Sequence, residues 1–406
     1  MTCYHYRREH SPHILFLFLR FVDFALLLLM RLFLEPTMLR KSTFLVTALV
    51  TLAVPMTAQQ EPARKPLYTT SSISSNGSGS GMVTAGNGMN FFFWGDWGQN
   101  VPANESESGV GYEEKKVATQ VEAFAAMMKP AFFCLLGDNF YEIGVQNTTD
   151  PLWQKYYRAL YTAPDTYVPW YPTLGNHDYY SGPSPQAEID YYKERKDNRW
   201  TMPDYQYTRT WNIPGSSKTM QIVFINTPAI CPEAESGVGK INWPTDPVQQ
   251  AFIWQPTLQW VENTLAASTA DLLIVSGHYH VYTNTAGDSL KPEGLCLQQK
   301  LVPLMKKYQV AAYMNGHEHN FEHHFIGGIH YLTVGHGCDQ NDPLAPGTPP
   351  GLIFNQTIGG FGMMYVAPSS QMNFTYVDEN GEFIHQYTIS NPRDNALRRR
   401  ALRGPV

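Results

Sequence analysis

The stretch AFFCLLGDNFY, residues 131–141, decides the fold class. Its first six residues form an apolar run of the length that a fully buried strand has, and Gly137 ends the run. Asp138 and Tyr141 follow at once, at the place where open α/β sheets carry their sites, just beyond the carboxyl ends of strands. This stretch therefore predicts a buried strand of an α/β domain with functional side chains at its end.

Runs of the same kind recur along the chain. They lie at residues 90–94, 221–226, 272–276, 311–315 and 330–334. Helical patterns lie between several of them, at residues 258–265 and 301–308 and in the apolar face formed by Val117, Val121, Phe124, Ala125 and Met128. Because strands alternate with helices, the sequence predicts an α/β layered domain with largely buried sheets.

The end of the chain follows a different pattern. Residues 371–377 and 383–389 alternate in period two around the turn residues 378–381, which is a strong signal for a hairpin. We expect an antiparallel edge of a sheet there. Residues 391–406, which contain five arginines, are expected to form a solvated basic tail.

The first 58 residues are interpreted as a leader. A secretory signal peptide is indicated from Met38, where two basic residues precede the apolar residues 44–54 and a small residue suited to cleavage. We expect translation to begin at Met38, or else the preceding residues to be an accessory leader. Residues 59–87 follow as a flexible Ser/Gly-rich segment, and residues 88–390 form the folded domain.

The alternative for the N-terminus is a membrane anchor at residues 13–35. That run is apolar but is broken by Arg20, Asp23 and Arg31, and a charge near the bilayer centre costs about 2.5–3.5 kcal/mol. The run is therefore a poor membrane span, and we expect no stable span in the mature protein. The position of the mature N-terminus, before or after Ala58, separates the two interpretations.

The composition favours a secreted globular protein. The 406 residues are 43% hydrophobic and 16% charged, with a net charge of -6. This composition does not provide the positive electrostatic potential that binding to nucleic acid or anionic lipid requires. Four cysteines follow the leader, too few for a disulfide scaffold but compatible with one bridge in an oxidising compartment. N-glycosylation tripeptides begin at Asn76, Asn104, Asn147, Asn355 and Asn373. We expect a glycosylated extracellular or vesicular protein.

Side chains of metal-ligand character follow the apolar runs in five motifs. The motifs are GDWG at 95–98, GDNFY at 137–141, GNHD at 175–178, GHYH at 277–280 and GHEH at 316–319. Each has a glycine directly before a ligand candidate, which lets the chain turn sharply out of a strand and approach an ion closely. The candidates are Asp96, Asp138, Tyr141, Asn176, His278, His317 and His319.

This set of ligands suits two different metal ions. Carboxylate, phenolate and amide oxygens together with imidazoles form a mixed hard and borderline set for iron, zinc or manganese. The phenolate of Tyr141 suits Fe(III), and an Asp with both oxygens free is the natural bridge to a divalent ion about 3.5–4 Å away. One such motif alone is more often a turn or a structural histidine pair, but the five in order predict a metallophosphatase.

The order and content of the five motifs resemble those of the calcineurin-like metallophosphoesterases, and among them the purple acid phosphatases of the small, tartrate-resistant acid phosphatase type. The tyrosine of GDNFY is the most specific feature, because it separates purple acid phosphatases from the wider superfamily. The resemblance covers about residues 88–390. It implies two packed mixed β-sheets flanked by helices, a four-layer sandwich with a dinuclear site at the strand ends.

The resemblance also implies a role for each candidate. Asp96, Tyr141 and His319 would bind Fe(III), Asn176, His278 and His317 would bind a divalent ion (Fe, Zn or Mn), and Asp138 would bridge the two. His177 resembles the family's histidine that contacts the phosphate or transfers protons. Alternatively, His177 has a structural role and orients Asp178 or Asn176.

Two departures from the family pattern leave the general acid open. His280 stands where the small animal-type enzymes have a proline, and the histidine that their loop places near the leaving group has no match in residues 282–293. His280 is either the substitute or an imidazole packed on the strand-end loop. His336 also replaces a smaller residue, whereas His323 and His324 are interpreted as loop histidines.

The resemblance further implies a disulfide between Cys231 and Cys296, since the small purple acid phosphatases bridge matching positions. Cys134 lies inside a strand run and is expected to be a buried free thiol.

The function implied by the resemblance is acid phosphatase activity on phosphate monoesters, by attack of a metal-bound hydroxide at an Fe(III)–M(II) centre. The partners would be small phosphorylated substrates, with phosphoproteins and nucleotides as further candidates, and not nucleic acid. A phosphodiesterase or nucleotide phosphatase on the same scaffold is one alternative. A catalytically silent, glycosylated binding protein is the other.

Overall fold

The structure is a computed structural model that describes residues 87–99, 112–232, 257–287, 291–337 and 342–394. The predicted leader, the Ser/Gly-rich segment up to residue 86, Cys338 and the arginine-rich part of the tail lie outside the described residues. Across the described ranges, no helix combines the length and the apolar character that crossing a bilayer requires.

The described strands form two mixed sheets. Numbered along the chain, they are β1 (Met89–Trp94), β2 (Phe133–Leu135), β3 (Trp170–Pro172), β4 (Tyr207–Asn212), β5 (Thr219–Phe224), β6 (Leu272–Ser276), β7 (Ala312–Asn315), β8 (Phe321–Ile326), β9 (Ile329–Val334), β10 (Leu352–Gln356), β11 (Gly360–Val366), β12 (Met372–Asp378) and β13 (Phe383–Ile389). The first sheet has the order β13-β12-β11-β1-β2-β3, and the second has the order β10-β8-β9-β7-β6-β5-β4. Strands β1 to β3 run parallel, as do β5, β6, β7 and β9.

Helices accompany both sheets. The longer ones are α1 (Tyr112–Met128), α2 (Ser184–Lys193), α4 (Thr257–Ala267) and α5 (Pro292–Lys300), and the shorter ones are α3 (Thr227–Ile230) and α6 (Val302–Lys307). In α1, the apolar face predicted from the sequence is buried throughout. Phe124 of this face lies against Phe361 of β11 and Phe383 of β13, with ring centroids 5.9 Å and 5.6 Å away. The helix therefore packs on the first sheet.

The second sheet is covered on both faces, as its continuous apolar strands predict. In β6, Leu272 and Ile274 belong to the core shared with the first sheet, whereas Leu273 and Val275 belong to a second core. Successive side chains of a strand point to opposite faces, so the sheet separates the two cores. The helix residues in the second core include Val261 of α4, Leu297 of α5 and Met305 of α6.

Stacked aromatic rings form part of the contact between the two sheets. Phe132, directly before β2, stacks on Trp211 of β4 with ring centroids 4.2 Å apart, and on Phe91 of β1 with centroids 4.9 Å apart. Tyr171 of β3 lies 5.8 Å from Phe224 of β5. The architecture is thus two mixed sheets packed together and flanked by helices, which confirms the expected fold class.

Most of the predicted elements are confirmed to within two residues. The runs at 90–94 and 272–276 are β1 and β6, and the predicted terminal hairpin is β12 and β13. The interpretation of His323 and His324 as loop histidines is wrong, because both lie in β8 between β9 and β10. Hydrogen bonds to two neighbouring strands hold this polar segment extended, although its own pattern gives no strand signal.

Both predictions about cysteine are confirmed. Cys231 and Cys296 form a disulfide that ties the residue after α3 to α5. Cys134 is a buried free thiol in β2.

Contacts of the fold continue past residue 390. Arg393 donates hydrogen bonds to the carbonyl oxygens of Ala270 and Tyr308. The ammonium group of Lys218 lies 2.7 Å from Oδ1 of Asp394. The last described residues of the chain are therefore attached to the second sheet and its helices.

Candidate metal centre

The seven ligand candidates lie where the parallel strands of both sheets end. In the first sheet they are Asp96 after β1, Asp138 and Tyr141 after β2 and Asn176 after β3; in the second they are His278 after β6 and His317 and His319 after β7. Because parallel strands end at the same edge of a sheet, the loops that follow them meet there. The two sheets thus build one site together.

Glycines before the ligands let the strand ends approach one another. A Cβ on Gly175 would lie 2.1 Å from Oδ1 of Asp138, and one on Gly316 would lie 2.2 Å from Oδ2 of Asp96. Any side chain at either position would displace a ligand candidate that follows another strand. Asp96 and Asp138 themselves have φ angles of 56° and 48°. Residues other than glycine rarely adopt this conformation, and those that do are often found at functional sites.

A first cluster of ligand candidates surrounds the phenol oxygen of Tyr141. This oxygen lies 3.1 Å from Oδ1 of Asp96, 3.1 Å from Nε2 of His319 and 3.2 Å from Oδ2 of Asp138. Nε2 of His319 lies 3.3 Å from Oδ1 of Asp96. His336 is buried nearby, with its ring centroid 6.5 Å from that of His319. These four converging atoms are the set that the resemblance assigns to Fe(III) and its bridge.

A second cluster surrounds Nε2 of His278. This nitrogen lies 3.1 Å from Oδ1 of Asn176 and 3.4 Å from Oδ2 of Asp138. The ring of His317 lies 5.1 Å from the ring of His278, centroid to centroid. The same carboxylate oxygen of Asp138 therefore faces both clusters, which is the position that a bridging ligand requires.

The donor atoms fit two metal ions. Asp96, Asp138 and His278 are buried and offer ligand atoms that all lie within 4.8 Å of one another. Carboxylate, phenol and amide oxygens and imidazole nitrogens, all without thiols, are donors for hard and borderline ions such as iron, zinc and manganese. The structure thus brings together the residues that the sequence predicted.

The electrostatics of the site favour cations. Burial opposes the charged form of His278, but the carboxylates of Asp138 and Asp96 outweigh it and raise the pKa of His278 to about 10. Likewise, Asp96 outweighs burial and raises the pKa of His319 to about 9. Burial raises the pKa of Asp96, whereas His278 and His177 overcome burial and hold the pKa of Asp138 below its usual range. Carboxylates that attract protons to imidazoles attract metal ions to the same place.

Neighbouring groups fix the orientation of two ligand candidates. The carbonyl oxygen of Leu136 accepts a hydrogen bond from Nδ1 of His278 at 2.8 Å, which leaves Nε2 to face the cluster. Nδ2 of Asn176 donates to the hydroxyl oxygen of Tyr180 at 2.9 Å, so that Oδ1 turns to His278. Contacts of this kind hold metal ligands in their binding orientation. Sequence reasoning missed Tyr180, because a tyrosine beside a motif is common.

Asp178 joins two of the motifs beneath the site. Its carboxylate accepts hydrogen bonds from the backbone nitrogens of Asn139 at 2.9 Å and Gly175 at 2.8 Å. Burial and the nearby charge of Asp138 raise the pKa of Asp178 to about 7. The side chain of Asn139 also donates to Glu188 of α2 at 3.0 Å. Sequence reasoning missed Glu188, since its partner lies far away along the chain.

His177 lies beside both clusters without belonging to either. Its Nδ1 donates to the carbonyl oxygen of Glu142 at 2.7 Å, and its ring lies 4.4 Å from the ring of Tyr141. Its Nε2 lies 4.0 Å from Oδ2 of Asp138. Because the carbonyl oxygen can only accept, Nδ1 carries the hydrogen and Nε2 is the nitrogen that faces the site.

His280 lies behind His317. The two rings are nearly parallel, at 19°, with centroids 5.8 Å apart. Nδ1 of His280 lies 2.7 Å from Oε1 of Glu318, and the ammonium group of Lys291 lies 3.7 Å from the same oxygen. Sequence reasoning missed Glu318, although it stands between the two histidines of GHEH. It also missed Lys291, which lies in the segment where no histidine was found.

The sequence is similar to known phosphatases over most of its length. The sequence model described as Calcineurin-like phosphoesterase matches residues 89–321. Tartrate-resistant acid phosphatase type 5 of Sus scrofa is 29% identical over 307 residues, covering 72% of this chain and 84% of that protein. Purple acid phosphatase 17 of Arabidopsis thaliana is 26% identical over 309 residues, covering 74% of this chain and 84% of that protein.

Solved structures share the fold. GAP50, the anchor in the inner membrane complex of Plasmodium, has a TM-score of 0.61 at 21% identity, covering 76% of this chain and 93% of that chain. Purple acid phosphatase PPD1 from yellow lupin (Lupinus luteus) seeds has a TM-score of 0.51 at 18% identity, covering 75% of this chain and 54% of that chain. At these identities the likeness concerns the fold alone. The family match spans more than half of the sequence and includes all seven ligand candidates, and the chain belongs to the calcineurin-like phosphoesterase family.

Proposed function

We propose that the chain is an acid phosphatase that hydrolyses phosphate monoesters at a dinuclear centre of Fe(III) and a divalent ion. The observation that carries this proposal is the position of Asp138. Its Oδ2 lies 3.2 Å from the phenol oxygen of Tyr141 and 3.4 Å from Nε2 of His278, so one carboxylate faces both clusters. Relatives named tartrate-resistant and purple acid phosphatases align with most of the chain and support the same activity.

The ligand candidates divide between the two ions by cluster. Asp96, Tyr141 and His319 would hold Fe(III), Asn176, His278 and His317 would hold Fe, Zn or Mn in the divalent state, and Asp138 would be the ligand shared by both. When bound, the ions neutralise the phosphate oxygens and make hydroxide available near neutral pH or below. The phenol of Tyr141 is the group that favours a trivalent ion.

The side chains of the site position the substrate and handle protons, because phosphoryl transfer needs little covalent chemistry from a protein. Nε2 of His177 faces the centre, where it can contact a phosphate oxygen or transfer a proton. Six of the seven ligand candidates are buried and the side chain of His317 is 9% exposed, so electrostatic contacts with a substrate are screened little by water.

His280 was the other candidate for a general acid. Its Nδ1 faces Glu318, and a Cβ on Gly294 of α5 would lie 2.8 Å from its Nε2. Both ring nitrogens are therefore turned to other parts of the protein. These contacts favour the alternative in which His280 is an imidazole packed on the strand-end loop.

Hydrolysis of p-nitrophenyl phosphate and bis-p-nitrophenyl phosphate at acidic pH tests the proposed function. The proposal predicts that the purified, metal-loaded protein prefers the monoester. A preference for the diester would favour the phosphodiesterase alternative, and a preference for nucleoside triphosphates would favour the nucleotide phosphatase. Absence of all three activities with both ions bound would favour the silent binding protein.

We also propose that the mature protein is secreted and glycosylated. The Cys231–Cys296 disulfide supports an oxidising compartment. Of the glycosylation tripeptides in the described residues, Asn147 is exposed and Asn355 and Asn373 are half-buried. N-terminal sequencing of exported protein, with a mobility shift on deglycosylation, tests this. A mature N-terminus that retains residues 13–35 would support the anchored alternative instead.

A further inference from the structure

A carboxylate outside the predicted ligand set contacts one of the ligands. Oε1 of Glu293, in the first turn of α5, lies 3.3 Å from Nε2 of His317. Both side chains are largely buried, with 8% and 9% of their surfaces exposed. The contact joins a helix of the second sheet to the loop that follows β7, and it connects residues 24 positions apart.

This contact settles which nitrogen of His317 remains for a metal ion. An ionised carboxylate can only accept a hydrogen bond, so with Glu293 ionised the hydrogen lies on Nε2 and the lone pair lies on Nδ1. Metal-binding histidines usually donate their second ring N–H to a carboxylate, a carbonyl or water, which fixes the tautomer and the ring plane. His278 follows the same rule with the opposite nitrogens, because its Nδ1 donates to the carbonyl oxygen of Leu136.

The helix that carries Glu293 is held firmly in place. Cys296, one turn further along α5, is bonded to Cys231. Gly294 lets the first turn of the helix lie close to His280, since a Cβ at this position would lie 2.8 Å from Nε2 of His280. The carboxylate of Glu293 is therefore presented to His317 by a rigid element rather than by a mobile loop.

Two neighbouring cationic groups lie close to a different carboxylate, that of Glu318. His280 and Lys291 both lie near Oε1 of Glu318, at 2.7 Å and 3.7 Å. His280, His317 and Glu318 also offer atoms within 4.8 Å of one another, as a further cation site would. Lys291 already places a positive charge there, so this group is an ion-pair network. Glu293 also feels the charges of His280 and Lys291, and it is the carboxylate that contacts Nε2 of His317.

We infer that Glu293 is a positioning residue that holds His317 with Nδ1 directed at the divalent ion. The inference rests on the proposed dinuclear centre and adds a residue that none of the five motifs contains. Removal of a partner of this kind lowers metal affinity by about 10–100-fold. The effect should fall on the divalent ion, because Glu293 contacts His317, whereas Asp96, Tyr141 and His319, which would hold Fe(III), contact one another.

The test compares Glu293→Ala, Glu293→Gln and a control, Leu295→Ala, which truncates an exposed side chain of the same helix. Each full-length, metal-loaded protein is dialysed against increasing concentrations of a chelator, and retained iron and zinc are measured by elemental analysis. We expect Glu293→Ala to lose its divalent ion at about 10–100-fold lower chelator concentration and to keep Fe(III). Glu293→Gln keeps an acceptor oxygen and should recover most of the affinity, and Leu295→Ala should match the wild type.

Equal retention of the divalent ion by Glu293→Ala and wild type would overturn the inference. So would an equal loss in Glu293→Ala and Leu295→Ala, which would indicate a general effect of the helix. If the wild type itself binds no divalent ion, the proposed function fails rather than this inference. Near-ultraviolet circular dichroism of each variant shows whether it is folded, and Glu293→Gln, which is nearly isosteric, serves if the alanine variant is not.

Discussion

Among single residues, Tyr141 most sharply defines the chemistry of the site. Its phenol oxygen lies 3.1 Å from both Asp96 and His319, so an Fe(III) ion in that cluster is expected to bind phenolate. We predict that the purified protein is coloured by a phenolate-to-Fe(III) transition and that Tyr141→Phe loses the visible band. Phenylalanine keeps the ring and removes only the oxygen.

Absorption spectra at equal iron content provide this measurement. Tyr205→Phe is the control, because it removes a hydroxyl that donates to Gln186 and leaves the phenol of Tyr141 in place. The control should keep the band. Retention of the band by Tyr141→Phe would show that another group colours the protein.

His177 and His280 should respond differently to replacement by alanine. Nε2 of His177 faces the centre, so His177→Ala should lower kcat by about 10²–10⁴-fold and leave metal content unchanged. His280 is packed between Glu318 and α5, so His280→Ala should lower turnover of alkyl phosphates and p-nitrophenyl phosphate equally. Steady-state kinetics with both substrates and metal analysis of both variants decide the matter. A selective loss on alkyl phosphates in His280→Ala would restore its role as general acid.

The residues predicted from the sequence are those whose role follows from the residues next to them in the chain. Asp96 and His278 each follow a glycine at the end of an apolar run, and both lie in the site. Glu293 and Tyr180 follow no such rule. Each acts by holding a ligand in orientation, and Glu293 does so for a residue 24 positions away, a distance that sequence spacing does not reveal.

At the scale of elements, the disulfide anchors α5 near the site. It closes a loop with a sequence separation of 65 residues. We predict that replacing Cys231 and Cys296 together by alanine lowers the free energy of unfolding by about 2–5 kcal/mol. Urea unfolding measures it, with Cys134→Ala as a control that removes a thiol but no bridge. Unchanged unfolding of the double variant would contradict a stabilising role for the bridge.

Three histidines form a row that connects the two sheets away from the metal centre. Nδ1 of His323 in β8 lies 3.0 Å from Nε2 of His385 in β13, and Nε2 of His323 lies 2.9 Å from Nδ1 of His330 in β9. The rings of Phe374 and Tyr387 pack on His323 at 5.0 Å and 4.8 Å. Burial lowers the pKa of His323 to about 2 and the pKa values of His330 and His385 to about 4 each.

This row should make the fold sensitive to acid. An unfolded histidine has a pKa of about 6.5, so between pH 4 and 6.5 the unfolded chain binds more protons than the folded one. The free energy of unfolding is therefore predicted to fall as the pH drops through about 6.5 towards 4. His385→Phe should weaken this dependence, because it removes one titrating group from the row. The midpoints of urea unfolding, measured across that pH range, show how strongly the stability depends on pH.

Tyr387→Phe is the matched control for the pH dependence of stability, since it keeps all three imidazoles and the ring contact with His323. It should unfold with the pH dependence of the wild type. If His385→Phe shows the wild-type slope as well, the histidine row does not cause the acid sensitivity.

Elements defined by local pattern were predictable, and elements defined by distant partners were not. The hairpin of β12 and β13 is marked by period-two alternation around a turn within one short stretch. Strand β8 contains His323 and His324, which look like loop residues until β9 and β10 pair with them and His385 bonds His323 from the other sheet. Strand β3 is only three residues long, too short to show a period.

At the scale of the whole molecule, the site exists only where the two sheets meet. Gly137 of the first sheet lies so close to His278 of the second that a Cβ there would be 2.6 Å from its Nδ1. Periodicity predicted buried strands and a site at their ends, but not which strands share a sheet. The packing of two sheets was implied by the family resemblance, and the structure confirms it. Ions that bind this shared site stabilise the folded state over the unfolded one.

Elemental analysis of the purified protein tests the dinuclear centre most directly. After reconstitution with iron and zinc, the wild type should contain about two metal equivalents per chain, one of them iron, because Asp138 faces two clusters of ligands. Asp138→Ala, which removes the shared carboxylate, should contain fewer. Wild-type protein that is folded by circular dichroism, yet retains one equivalent or none, would contradict the account.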